Sequence, residues 1–104
     1  MVTPFAVMLM KQDSIRQFFG EVLRENKYIS SDSMAVFGKL IRLTLQFRDK
    51  YWEAHGEILT VDETRQGLDI YQRAVNSKKL PQGLNPKIAA LVDLWLREIN
   101  GIKI

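Results

Sequence analysis

Apolar residues recur every three or four positions along most of this chain, and the polar gaps between those runs mark where one helix gives way to the next. Past Lys11-Gln12-Asp13-Ser14, the residues Ile15, Phe18, Phe19, Val22 and Leu23 form one stripe at helical spacing. Thr3-Pro4 supplies a cap followed by proline at a first helical position, and Asn26 supplies a stop. Residues 4–26 are therefore helical, either as one element or as two with Asp13 or Ser14 capping the second.

The second helix is the best marked. Ser30-Ser31-Asp32-Ser33 offers several N-caps for a helix over 34–55, and Gly56 behind His55 offers its stop. Placed at about 100° per residue, Lys39, Arg42, Gln46, Asp49, Lys50 and Glu53 fall on one polar strip. Met34, Val36, Phe37, Leu40, Ile41, Leu43, Leu45, Phe47, Tyr51 and Trp52 fill the rest of the circumference. That arc is wider than a surface helix needs, so the element is central or has a partner.

Thr60-Val61-Asp62-Glu63 matches a capping box, and the third helix follows with Val61, Leu68, Tyr71 and Val75 facing one way, Ile70 and Ala74 beside them. It ends before Pro81, because the residue ahead of a proline is pushed out of the helical region. Asn85-Pro86 repeats the cap-plus-proline signal for a fourth helix, whose stripe is Ile88, Leu91, Val92, Trp95 and Ile99, widened by Leu94 and Leu96. Asn100-Gly101 stops it, with Ile102 folding back on Leu96 in a Schellman ending. Strand-like alternation is confined to residues 5–10 and 102–104, and two short strands alone are marginal. The expected fold is all-α: a compact antiparallel bundle of four to five helices in a single domain over residues 1–104, with short extended termini as its variant.

Composition narrows the function classes. A chain of 104 residues that is 46% apolar and 26% charged is an ordinary globular sequence, long enough for one core without staples. It has no cysteine, which removes disulfides, thiolate metal sites and cysteine nucleophiles, and fits a reducing, cytoplasmic setting. No apolar run is long enough to span a membrane. The apolar opening lacks the positive segment and small-residue cleavage site of a signal peptide.

Catalytic signals are scarce. The single histidine sits in Glu53-Ala54-His55-Gly56-Glu57, where His55 points away from the face the glutamates share. It makes a poor metal site and suits the C-terminal end of a helix dipole. No phosphate-cradling glycine loop, H-E-x-x-H or G-x-S-x-G is present. The expectation is a protein that is not an enzyme, with no catalytic residue, cofactor, metal or small-molecule substrate.

Two features point to association. Arg48 falls inside the apolar arc of the second helix, near Phe37, Ile41 and Thr44, and a buried guanidinium needs a partner. Glu21, Glu25 and Asp69 are candidates within the chain; the sharper reading puts Arg48 at a subunit seam. Residues 5–10 are apolar on every side if helical, so they thread into their own core or cover another chain. Phe5, Met8, Met10 and Arg48 are the candidate protein-interface residues. Gly20, Gly38 and Gly67 fall inside helices, where they mark close backbone approach or a break.

The net charge of +3 is a mild excess, but an up-and-down bundle concentrates it. The end holding residues 24–33 and 73–87 collects Arg24, Lys27, Arg73, Lys78, Lys79 and Lys87, while the opposite turn carries Glu53, Glu57, Asp62 and Glu63 against Arg65. Arg73, Lys78, Lys79 and Lys87 are the candidate phosphate-binding residues, although no aromatic is interleaved for base stacking. The favoured function is a non-catalytic helical protein–protein interaction module, a homo-oligomer or an accessory subunit of a larger assembly. The alternative is an accessory protein contacting a nucleic-acid backbone through the basic end.

Overall fold

The structure, a computed structural model, describes residues 15–21 and 31–103, and at 31–34 the backbone alone. The apolar arm with Phe5, Met8 and Met10, the one-or-two-helix question over 4–26, and Arg24 and Lys27 lie outside the described residues.

The described residues form four helices: α1 over residues 15–21, α2 at Ser31–His55, α3 at Val61–Ser77 and α4 at Pro86–Asn100. Among the described residues there is no strand, so the all-α class holds. Helix α2 starts three residues earlier than the capping pattern predicts, taking Ser31-Asp32-Ser33 as its first turn. A first turn has no intrahelical partners for its N–H groups, so short polar residues are tolerated there as well as at the cap. Helix α2 ends at His55, where Gly56 turns left-handed (φ 67°) and donates its N–H to Trp52 O at 2.8 Å.

Helix α3 begins directly after Thr60, with Asp62 and Glu63 in its first turn, where carboxylates suit the dipole. It closes at Ser77 through Lys78, a non-glycine residue in the left-handed region (φ 58°) whose N–H reaches Ala74 O at 2.7 Å. Helix α4 opens as the sequence predicts: the Asn85 side chain accepts from Lys87 N at 2.9 Å, and Pro86 takes the first position. It closes through Gly101 (φ 65°), with Gly101 N–H donating to Arg97 O and Ile102 N–H to Leu96 O.

The chain divides into two compact units, Met1–Val61 and Asp62–Ile104. In the first, Ile15, Phe18 and Phe19 of α1 are buried, and the two phenylalanine rings meet edge-on at 5.2 Å. Buried side chains of α2 are Phe37, Leu40, Leu43, Thr44 and Arg48, a stripe at helical spacing. The Thr44 hydroxyl donates to Leu40 O at 2.6 Å, which leaves this buried group satisfied.

In the second unit, α3 and α4 meet along matched rows four residues apart: Glu63, Gly67 and Tyr71 against Lys87, Leu91 and Trp95. Lys87 Nζ bonds Glu63 Oε1 at 3.0 Å. A Cβ built on Gly67 would lie 3.3 Å from both Leu91 Cδ2 and Trp95 Cζ3. Tyr71 meets the Trp95 ring edge-on at 5.7 Å and donates its hydroxyl proton to Asn100 Oδ1 at 2.7 Å. Start is paired with start, and Tyr71 in the middle of α3 with Asn100 at the end of α4. An antiparallel hairpin would instead set Glu63 beside the end of α4, so this pair departs from the up-and-down expectation. The physical reason lies in the connection. Residues 78–85 can extend about 3.3–3.6 Å each, a reach sufficient to run back along the roughly 25 Å of a 17-residue helix.

Candidate functional site

The inward arc of α2 stays closed through Arg48 and then opens. Tyr51 and His55 continue the angular row that Leu40, Thr44 and Phe37 occupy further up, yet Phe47, Tyr51 and Trp52 are only half-buried and His55 is exposed. Phe47, Tyr51 and His55 stand one turn apart and lie against one another. The Phe47 and Tyr51 rings are stacked at 5.5 Å (25° between planes), and Tyr51 and His55 meet at 4.4 Å (43°). With Trp52 alongside, the last two turns of α2 carry four aromatic or imidazole rings that the chain covers incompletely. The signal for this row was the i, i+4, i+8 spacing of Phe47, Tyr51 and His55; reading His55 for metal or dipole chemistry obscured it.

Arg48 closes the buried part of the stripe. Its side chain is 5% exposed, and its Nε donates to Asp49 Oδ1 at 2.9 Å, with a second bond from its Nη2 to the same oxygen. Asp49 belongs to the strip that the wheel assigns to solvent, and it is half-buried. Arg48 thus has a carboxylate partner on its own helix.

The four candidate phosphate-binding residues do not come together. Arg73, Lys78 and Lys79 are exposed at the end of α3, where the Ser77 hydroxyl and the backbone of Lys79 hydrogen-bond locally. Lys87 is buried, its side chain 8% exposed, with its ammonium on Glu63, itself 20% exposed. The start-to-start pairing puts the start of α4 beside the acidic start of α3. This removes Lys87 from the basic set and Glu63 from the acidic one, and the charge separation expected of an up-and-down bundle loses both. Gly67 marks a close approach, whereas among the described residues nothing lies within 4 Å of a Cβ at Gly20 or Gly38.

Among the described residues no group of three histidine, aspartate or glutamate side chains is placed to hold a metal ion, and no helix is long and apolar enough to cross a membrane. The chain matches no protein-family model, and no curated protein or solved structure is detectably similar to it.

Proposed function

We propose that the chain is a non-catalytic helical interaction module that docks a protein partner, a second copy or a subunit of a larger assembly, through the ringed end of α2. One observation carries this reading. The apolar stripe of α2 outruns its cover, leaving Phe47, Tyr51, Trp52 and His55 partly open in a continuous row. Aromatic side chains supply large contact area at low entropic cost, and tyrosine and tryptophan keep a polar tip for the rim of an interface. Scattered single apolar residues would carry no such meaning; a stacked row does.

Light scattering across micromolar to millimolar concentration tests the self-associating form. The wild type shifts to higher mass as concentration rises, and Phe47→Glu with Tyr51→Glu returns it to monomer with its helical circular dichroism retained. A wild type that stays monomeric throughout leaves only a heterologous partner. A double variant that unfolds makes the rings part of the core and sinks the docking reading. The phosphate-contact alternative now rests on Arg73, Lys78 and Lys79. Anisotropy with a labelled oligonucleotide at two salt concentrations bears on it, since three contacts give a log–log salt slope of at most about −3.

A further inference from the structure

The pairing of α3 with α4 has an uncommon route. A helix that lies start-to-start on its predecessor is delivered by a strap, residues 78–85, that returns along the length it has just left. The strap makes side-chain hydrogen bonds only at its ends, and between them Leu80 and Leu84 are half-buried. Ser77 bonds Lys79 at one end and Asn85 caps α4 at the other, while among the described residues no side chain of 80–84 makes a hydrogen bond or ion pair. Lys78, Lys79, Pro81, Gln82 and Gly83 are exposed. At its first residue the strap holds Lys78 at φ 58°, a conformation that costs an L-residue free energy and that an opened strap releases. Proline at 81 blocks α3 from simply continuing, so the opened strap stays extended.

The cohesion sits elsewhere. Glu63–Lys87, the seating of Leu91 and Trp95 on Gly67, and Tyr71–Asn100 are contacts of α4 itself. A second copy of the chain offers an identical α3 for each of them. We infer that α4 is exchangeable: two copies form a dimer in which α4 of each lies on α3 of the other, with every α4 contact preserved and only the strap changed. This inference does not rest on the α2 rings, and the two are separable by variant.

The ion pair gives a test that a closed monomer cannot imitate. Glu63→Lys and Lys87→Glu each place like charges across the α3–α4 contact, so each variant alone melts below the wild type. Unfolded together and refolded as an equimolar mixture, they restore opposite charges only where the α4 helices have exchanged. The expected result is a mixed dimer by light scattering whose melting temperature returns toward the wild-type value. If either variant alone fails to fold, its recovery in the mixture is the same readout. A variant lacking Pro81, Gln82 and Gly83 has too short a strap to return and is expected to be dimeric. A mixture that stays monomeric and as unstable as its components, or a monomeric shortened variant, overturns the exchange. A wild-type dimer without mutual rescue overturns it too, while leaving docking through α2 standing.

Discussion

Trp52 and Trp95 sit on helices that look alike in sequence, each on a broad apolar face, and they differ completely in their surroundings. Trp95 has no exposed surface; Tyr71 meets its ring, and two of its ring carbons lie within 3.5 Å of a Cβ on Gly67. Trp52 is half-buried on the last turns of α2, beside a row of rings that ends in solvent at His55. The seam around Gly67 closes over Leu91 and Trp95, although Ile70, Val75, Leu94 and Ile99 elsewhere on α3 and α4 are half-buried, whereas the last turns of α2 leave a whole row of rings partly open. Apolar width on a helix therefore signals burial only where something is there to cover it, and the excess on α2 is what the proposed docking rests on.

The two tryptophans give the largest effects and the most direct way to break this comparison. Trp95→Ala is expected to cost about 3–5 kcal/mol, since it empties a closed site. Trp52→Ala is expected to cost about 1–2 kcal/mol, because it gives up only partial burial. Urea unfolding measures both, and equal costs would mean that the end of α2 is as fully packed as the α3–α4 seam. Next comes the ion pair. Lys87→Met takes the ammonium away from Glu63 and is expected to cost about 2–3 kcal/mol, below the ~3–5 of a fully buried pair because Glu63 keeps some water. Lys87→Met with Glu63→Leu together should recover to within about 1 kcal/mol of the wild type. A double variant no better than the single would mean that the other bonds of these side chains matter more than the pair.

Two glycines reverse sign between the regions. Alanine is favoured over glycine within a helix by about 1 kcal/mol, so Gly38→Ala, with nothing within 4 Å, should stabilise α2 by up to that amount. At Gly67 the same gain meets Leu91 and Trp95, neither of which has exposed surface to retreat into. Overpacking of about 1–3 kcal/mol exceeds the helical gain, and Gly67→Ala should lose about 1 kcal/mol net. Opposite shifts of the urea midpoint check the pair at once, and a stabilising Gly67→Ala would mean that the seam yields.

Much of this was legible in the residues. The cap at Asn85, the left-handed stops at Gly56 and Gly101, and the buried residues of α3 and α4 follow from local chemistry that the sequence carries openly. Burial of Arg48 followed from its place in the arc. What did not follow was direction. Periodicity says which face of α3 and α4 is buried but not whether the helices run together or opposed, and a connection of eight residues permits both. Lys87 was misplaced for that reason: in sequence it belongs with Lys78 and Lys79, in space with Glu63. For the row of rings on α2, the spacing was visible, but how far the cover extends is a property of the packed chain.

The smallest expected effect concerns the start of the strap. Lys78 holds a left-handed conformation (φ 58°) that helices usually end on with glycine, as α2 and α4 do here. A non-glycine residue there carries about 1–2 kcal/mol of steric cost. Glycine removes that cost but adds freedom to the unfolded chain, which offsets about 0.4–1 kcal/mol of the gain. Lys78→Gly is therefore expected to stabilise the closed chain by about 0.5–1 kcal/mol, or a few degrees in melting temperature for a chain of this size. Lys78→Ala removes the same charge and keeps the conformation, so it separates the two causes. If alanine stabilises as much as glycine, the relief comes from spreading the charge of Arg73, Lys78 and Lys79, and the strap starts unstrained. If glycine alone stabilises, the backbone at residue 78 stores the difference, and the same substitution should draw any exchanged dimer back toward monomer.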